Sequence, residues 1–299
     1  MSDKPRLAIS FSGGRTSAVM TKLCIENYAE THEISIQFAN TGCEAEETLR
    51  FVDAVDRHWC QPAGLPVTWI EAEVHGPRKG VTAKVVDYET ASRNGEPFEA
   101  AIKKHGVFCK THPQCTSRLK EEPMGHYREK QLGWKKGTYL TAIGIRADEI
   151  DRMSSKAKEK GFIYPLVNLG WTKDSIKEFM AQFEWDLNLP GDHYGNCVWC
   201  WKKSFRKLMT LAKDDPSIFD FPKEMERKYG HIDRSRDQSQ KEDRVFFRGR
   251  TSTVDLLFRS MQEEFEPYSD EIPRTGANFD EMMDLGSGCG DSCEIGADE

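Results

Sequence analysis

A glycine-containing loop near the N-terminus has the residue types of a phosphate-binding turn. Within the 299-residue chain, residues 12–17 (SGGRTS) stand between a short apolar run and a helical stripe of apolar residues. Glycines let the backbone approach a phosphate, and a helix that begins directly after them offers free N–H groups and the positive end of its dipole. The loop matches neither GxxxxGK[ST] nor GxGxxG. We predict a phosphate site formed by Ser12, Gly13, Gly14, Arg15, Thr16 and Ser17.

Cysteines are the second group of residues with chemical potential. The chain contains nine, which favours metal or redox chemistry over a disulfide framework in a protein of this length. Cys197 and Cys200 form a CxxC pair ahead of a basic segment. This spacing suits two ligands of one zinc or iron–sulfur centre, or a redox pair, although two structural cysteines would give the same pattern.

The elements that must position these residues alternate between strand-like and helix-like segments, as in a parallel α/β sheet. Apolar runs predict strands at residues 7–11, 34–39, 67–70 and 139–143, and apolar stripes predict helices near residues 19–28, 49–59, 171–183 and 202–213. Residues 75–137 are predicted to form a long functional loop. Because open sheets bind ligands at the carboxyl ends of their strands, Arg146, which follows the fourth strand, should lie near the glycine loop.

Charge and composition suggest three regions. We predict a nucleotide-binding domain at residues 1–190, a cysteine-containing, basic, mainly helical extension at 191–266 and an acidic, flexible tail at 267–299. Residues 261–299 hold 12 acidic residues and one basic residue, so the rest of the chain carries 41 basic and 37 acidic residues. That mildly basic body suits an anionic ligand. No stretch approaches the ~20 apolar residues of a membrane span, and no secretory signal is evident, so a cytoplasmic protein is expected.

Five motifs together resemble the phosphoadenosine phosphosulfate (PAPS) reductase family of the PP-loop ATP-pyrophosphatase superfamily. SGGRTS resembles the family's SGGxxS loop. Residues 40–42 (NTG) with 47–52 (ETLRFV) resemble DTG…ETLxFV, with Asn40 in place of the usual Asp. Residues 118–124 (RLKEEPM), 144–149 (GIRADE), and 164–166 (YPL) followed by Trp171 resemble RKVEPL, GIRxxE and PL…W. The likeness is strongest to members encoded by bacteriophages. It implies a doubly wound, mostly parallel α/β sheet of the adenine nucleotide alpha hydrolase kind.

The resemblance also implies a ligand and the residues that bind it. The ligand would be an adenine nucleotide, either PAPS, adenosine phosphosulfate or ATP, held by the glycine loop together with Asn40, Thr41 and Gly42. Arg146 and Lys120 would be catalytic cations at its phosphate or sulfate end. If the ligand is ATP, Mg²⁺ would accompany it.

The iron–sulfur branch of this family places cluster cysteines where this chain has Cys115, Cys197 and Cys200. That branch has a tandem cysteine pair at the first position, whereas Gln114 precedes Cys115 here. Cys109 could supply a fourth ligand of a [4Fe-4S] cluster, or three cysteines could leave one metal position open. Zinc is the alternative metal.

Members without a cluster use a cysteine close to the C-terminus. By this resemblance Cys289 would attack the sulfonyl sulfur and Cys293 would resolve the product as a disulfide. The alternative is an acidic tail in which these two cysteines have no role.

Three functions remain open at this stage. The first is a PAPS reductase-like oxidoreductase with a thioredoxin-like thiol donor. The second is an ATP-dependent sulfurtransferase that thiolates tRNA or DNA, the only case in which nucleic acid would be a partner. The third is an inactive nucleotide-binding accessory protein. A homodimer is compatible with each.

Overall fold

The fold is built on one central sheet. A computed structural model describes residues 4–76, 78–232 and 242–270. Its strands are β1 (Arg6–Ser10), β2 (Glu33–Asn40), β3 (Val67–Val74), β4 (Val81–Val86), β5 (Leu140–Ala142) and β6 (Phe162–Ile163). They lie in the order β4-β3-β2-β1-β5-β6, and every neighbouring pair is parallel except β3 and β4. The predicted doubly wound, mostly parallel sheet is therefore confirmed.

Helices cover the sheet and make up most of the C-terminal part. They are α1 (Arg15–Tyr28), α2 (Glu46–Val55), α3 (Glu96–His105), α4 (Glu122–Lys130), α5 (Ala157–Lys160), α6 (Pro165–Asn168), α7 (Lys173–Met180), α8 (Phe205–Asp214), α9 (Asp220–Tyr229) and α10 (Thr253–Gln262). A π-helical turn, Asp56–Cys60, extends α2, and another, Ser117–Glu121, leads into α4. Within the described residues, no helix is both long and apolar enough to cross a membrane.

The strand order fixes where a ligand can bind. From β1 the chain moves through β2 and β3 to one side, and it later returns to place β5 on the other side of β1. The carboxyl ends of β1 and β5 therefore diverge into different connections. Such a switch point leaves a crevice at the edge of the sheet. The glycine loop follows β1 and Arg146 follows β5, so the topology brings these two predicted elements together.

Two apolar clusters hold the layers in place. One joins β1, β2, α1 and α2 to α7, with buried Phe11, Phe38 and Leu166 among its members. The other joins α3 to the helices that follow residue 200, and it includes Phe98, Trp199 and Phe246. Because the second cluster contains residues from both the sheet domain and the C-terminal helices, those helices pack onto the same body.

The segment 75–137, predicted as a long loop, is largely regular. It contains β4, α3, the turn Ser117–Glu121 and α4. The prediction missed β4 because it is an edge strand that pairs antiparallel with β3, buries only Val81 and contains Thr82 and Lys84, so its residues form no continuous apolar run.

Candidate active site

The glycine loop closes on itself and leaves its backbone open to a cavity. Gly13 has φ +85°, and a Cβ there would lie 2.8 Å from Thr48 Cγ2. The Ser17 hydroxyl lies 3.2 Å from Ser12 N, which donates to it, and itself donates to Gly14 O at 3.0 Å. Gly14 is the N-cap of α1, and no side chain accepts a capping hydrogen bond there. N–H groups in the first turn of α1 are therefore available for an anion.

Residues from five parts of the chain line this space, which we call the loop cavity. It encloses about 600 Å³ of empty space, part of it open to solvent. Five of the six predicted loop residues line it. The sixth, Ser17, does not line the cavity and instead hydrogen-bonds to Ser12 and Gly14 within the loop. Its lining comprises Ser12, Gly13, Gly14, Arg15, Thr16, Thr48, Arg146, Lys173, Ile176, Lys177, Leu187, Leu189, Asp192, Gly195 and Asn196.

Both predicted arginines line the loop cavity, and each already has a carboxylate partner. Arg146 is 4% exposed. It donates to Asp148 at 3.1 Å and to Thr16 Oγ1 at 3.4 Å, and it pairs with Glu149 at 3.3 Å. These carboxylates fix the guanidinium at the edge of the cavity.

Arg15 is held by the segment that follows α7. Its Nε donates to both carboxylate oxygens of Asp186, at 2.8 and 3.0 Å, and its terminal nitrogen donates to Leu187 O. Arg15 therefore anchors the segment that carries Leu187 and Leu189, and this segment forms an apolar part of the cavity wall.

Asn40 does not line the loop cavity. It is fully buried, and its amide donates to Glu71 Oε1 at 2.8 Å and to Ser92 O at 2.9 Å. Its oxygen accepts from Gly42 N at 3.1 Å. In the described part of the chain, Asn40 and Gly42 shape the end of β2, whereas Thr41 lines a second cavity.

That second space, which we call the cysteine cavity, contains three of the four predicted metal ligands. It encloses about 420 Å³ of empty space and is lined by Thr41, Phe98, Cys115, Thr116, Lys120, Asn196, Cys197, Trp199, Cys200, Trp201 and Lys202. Cys115 and Lys120 enter it from the short helical segment around the π turn Ser117–Glu121. A π turn shifts the register of a helix, and such turns are frequent at functional sites.

Cys197 has two polar neighbours in the cysteine cavity. Its Sγ is 3.3 Å from Thr41 Oγ1 and 3.9 Å from Glu44 Oε1. Burial and the Glu44 carboxylate raise the pKa of this thiol well above its ordinary value, and the Lys120 ammonium opposes them. Cys200 belongs to the same turn, because its N–H donates to Cys197 O at 3.0 Å.

The fourth predicted metal ligand lies apart. Cys109 Sγ is 3.2 Å from Thr111 Oγ1 and does not line the cysteine cavity. In the ranges that the structure describes, no group of three or more Cys, His, Asp or Glu side chains is arranged to hold a metal ion. This arrangement does not fit a four-cysteine site, and the cluster and zinc stay predictions. Cys289 and Cys293 lie outside the described residues.

The two predicted catalytic cations are not on one rim. Arg146 lines the loop cavity and Lys120 lines the cysteine cavity. Asn196 lines both, so the two cavities share this residue in their walls. Asn196 has φ +59°, in the left-handed region that asparagine tolerates better than most residues.

A buried lysine holds the segment around Asn196. Lys203 is 5% exposed, and its ammonium donates to Gly195 O and Cys197 O, each at 2.9 Å, and to Val198 O at 2.6 Å. The sequence predicts a basic, helical extension here, and three of its lysines, Lys202, Lys203 and Lys207, are buried. The sequence analysis did not identify Asn196 and Lys203, because no local pattern signals an asparagine in a cavity wall or a buried lysine.

A buried histidine, His193, lies in the same part of the chain. His193 is 7% exposed, and neither ring nitrogen has a hydrogen-bond partner among the described residues. Burial lowers its pKa below the ordinary value, with Lys203 and Lys207 acting in the same direction and Asp270 and Asp214 opposing them. The unfolded chain therefore takes up a proton at a higher pH than the folded chain does.

We predict that acidification through the ordinary histidine range destabilises the protein and that His193→Phe reduces this loss. The contribution of His193 to the free energy of unfolding should be constant above pH ~6.5. Below that pH it should fall, by at most about 1.4 kcal/mol per pH unit for one proton. Urea titrations between pH 7.5 and 5.5 measure it. An equal acid loss in wild type and His193→Phe would contradict the prediction.

Comparisons with known proteins agree with the geometry. The family model of the phosphoadenosine phosphosulfate reductase domain matches residues 6–188. The chain is 31% identical over 287 residues to the uncharacterized nin region protein ORF290 of Escherichia phage lambda, covering 96% of this chain and 94% of that protein. It is 24% identical over 155 residues to an uncharacterized protein of Methanocaldococcus jannaschii, covering 52% of this chain and 26% of that protein. The match to the phage protein spans nearly the whole of both chains, whereas the match to the Methanocaldococcus protein covers only about a quarter of that relative.

Proposed function

Because the chain belongs to the phosphoadenosine phosphosulfate reductase domain family, we propose that it binds an adenylyl sulfate in the loop cavity and transfers the sulfonyl group to a thiol of the cysteine cavity. The observation that carries this proposal is that Asn196 lines both cavities. An enzyme of this kind needs an anion site and a nucleophile close together, and the two cavities share a wall residue, Asn196.

The composition of the loop cavity supports a nucleotide. Backbone N–H groups at the start of α1 and the Arg146 guanidinium suit a phosphate or sulfate group. Ile176, Leu187 and Leu189 give the same cavity an apolar wall that suits an adenine ring. A ligand with one anionic and one apolar part satisfies both.

The transfer uses two thiols of one turn. The Cys197 sulfur attacks the sulfonyl sulfur, the bond from that sulfur to the nucleotide oxygen breaks, and the nucleotide leaves with its 5′-phosphate. The Cys197 proton passes to Glu44, whose Oε1 lies 3.9 Å away, and Lys120 stabilises the charge on the sulfonyl oxygens. Cys200 then attacks the Cys197 sulfur, which forms a disulfide between the two cysteines and releases sulfite, and the Cys200 proton leaves with it as bisulfite. The two thiols supply both electrons, and an external dithiol reduces the disulfide.

The test is sulfite release from PAPS in the presence of a dithiol donor. Cys197→Ser and Cys200→Ser should each lower the rate about 100-fold or more, because the two thiols act as a unit. Without donor, Cys200→Ser should accumulate S-sulfonated Cys197, which mass spectrometry detects. Cys109→Ser is the matched control: it should keep the rate, whereas a four-cysteine cluster requires its loss.

Other outcomes would overturn the proposal in distinct ways. Pyrophosphate release from ATP without sulfite would favour the sulfurtransferase. Full activity in Cys197→Ser together with loss in Cys289→Ser would move the transfer to the C-terminal cysteines. Nucleotide binding with neither product would favour the accessory protein.

A further inference from the structure

The Thr41 hydroxyl joins the Cys197 thiol to the Glu44 carboxylate. Thr41 Oγ1 lies 3.3 Å from Cys197 Sγ, and 2.9 and 3.0 Å from the two carboxylate oxygens of Glu44. The direct distance from Cys197 Sγ to Glu44 Oε1 is longer, at 3.9 Å. Thr41 therefore lies on a path of two short contacts between a thiol and a carboxylate that can take its proton.

The hydrogen atoms of the three side chains fix the direction of these contacts. A carboxylate only accepts hydrogen bonds, and a threonine hydroxyl has a single hydrogen to donate. Thr41 donates that hydrogen to Glu44, so a lone pair of Thr41 Oγ1 is left to accept from the Cys197 S–H. The three groups are thus hydrogen-bonded in the order that proton transfer from sulfur to carboxylate requires.

Backbone contacts hold this arrangement in place. Thr41 N and Cys43 N donate to Glu44 Oε2 at 3.0 and 3.2 Å. Glu44 pairs with Cys197 in an isolated β-bridge, beside which Val198 N donates to Cys43 O at 3.0 Å. Thr41 is 1% exposed and Cys197 is 9% exposed. Because water has little access to the thiol, a neighbouring protein group has to take its proton.

We propose that Thr41 is a catalytic residue that carries the Cys197 proton to Glu44. As the sulfur attacks, its proton moves to Thr41 Oγ1 and the Thr41 hydroxyl proton moves to the Glu44 carboxylate, so that Thr41 is a hydroxyl before and after the step. Glu44 releases the proton to solvent once the nucleotide has left. The inference deepens the proposed function and rests on it, because it assigns the path of the proton that Cys197 loses. The family resemblance assigns Thr41 to the nucleotide instead.

The experiment measures how fast S-sulfonated Cys197 forms from PAPS in the Cys200→Ser variant without a thiol donor, because this species reports on the transfer step alone. Thr41→Val in this background should slow its formation about 10-fold or more, since the relaying hydroxyl is lost. Thr41→Ser, which keeps the hydroxyl, should stay within about 3-fold of the Cys200→Ser rate. The affinity for adenosine 3′,5′-bisphosphate should change by less than about 3-fold in both, because Thr41 does not line the loop cavity.

Glu44→Gln supplies a second measurement on the same path. The glutamine oxygen can still accept the Thr41 hydrogen bond, but it does not take up a proton, so the transfer should again slow about 10-fold or more. Residues that act as one unit have effects that do not multiply. Thr41→Val/Glu44→Gln should therefore be within about 3-fold of the slower single variant.

Thr210→Val is the matched control for the loss of a buried hydroxyl. Thr210 is 4% exposed, and its hydroxyl donates to Arg206 O at 2.8 Å. It lines neither cavity. The variant should lower stability in urea denaturation without changing the rate at which S-sulfonated Cys197 forms.

Several results would overturn the inference. An unchanged rate in Thr41→Val would show that the proton leaves Cys197 by another route, and an equal loss in Thr41→Ser would make Thr41 a packing residue. Weaker nucleotide binding with an unchanged rate at saturating PAPS would assign Thr41 to the nucleotide. Losses that multiply in the double variant would make Thr41 and Glu44 independent. If no S-sulfonated Cys197 forms even with Thr41 and Glu44 in place, the proposed function itself is overturned.

Discussion

Asn40→Asp is expected to lower the free energy of unfolding by about 3 kcal/mol or more at pH 7. The Asn40 amide donates to the Glu71 carboxylate and to Ser92 O, at 2.8 and 2.9 Å. Asn40 and Glu71 are 0% and 2% exposed. An aspartate removes both donated hydrogen bonds and places two carboxylates side by side away from water, where a charge without a partner costs most.

The second carboxylate gives this prediction an internal control. In Asn40→Asp/Glu71→Gln the amide and the carboxylate exchange positions, so a donor again faces an acceptor, and the double variant should be more stable than Asn40→Asp. The stability of Asn40→Asp should also approach that of wild type as the pH falls, because a shared proton relieves two adjacent carboxylates. Urea denaturation at pH 7 and pH 5 measures both effects. Wild-type stability of Asn40→Asp at pH 7 would contradict the prediction.

Asn40 also shows what a family pattern cannot predict. The resemblance assigns this position to nucleotide binding and expects an aspartate. The residue instead faces Glu71, 31 positions later and directly opposite it in the register of β2 and β3. An asparagine in place of an aspartate is the change that a buried glutamate requires, and only the pairing of the strands reveals it.

The fold could be predicted because its signals are local. Apolar runs that end in glycine and apolar stripes at helical spacing identified β1, β2, β3, β5 and their helices. The place where Arg146 meets the glycine loop followed from the rule for parallel sheets. The separation of Arg146 from Lys120 did not, because it depends on how the segment after residue 190 packs between them.

Lys203→Met is expected to destabilise the protein and to disturb the walls of both the loop cavity and the cysteine cavity. The substitution keeps much of the side-chain volume but leaves Gly195 O, Cys197 O and Val198 O without the ammonium that now binds all three. Unsatisfied buried carbonyls cost about 1–3 kcal/mol each, and relief of the buried charge offsets part of that cost. We therefore expect a net loss of about 2–4 kcal/mol.

The functional consequence follows from the position of the segment. Gly195 and Asn196 line the loop cavity, and Asn196 and Cys197 line the cysteine cavity. Without the lysine, the carbonyls on either side of Asn196 turn toward water, and we expect Asn196 to lose the φ of +59° that it has now. Nucleotide affinity and sulfite release should therefore fall in the same variant, although Lys203 lines neither cavity in the described residues.

Lys207→Met is the matched control, because Lys207 is also a buried lysine of the same region. It is 6% exposed, and its ammonium lies 4.9 Å from the centre of the Tyr268 ring. Loss of that contact should cost less, about 0.5–2 kcal/mol, and should leave nucleotide binding and sulfite release unchanged. Equal losses in the two variants would show that any buried ammonium here matters only for stability. Because the three carbonyls held by Lys203 belong to the segment that carries Asn196, which lines both cavities, we expect the function to distinguish the two lysines even where their stabilities are similar.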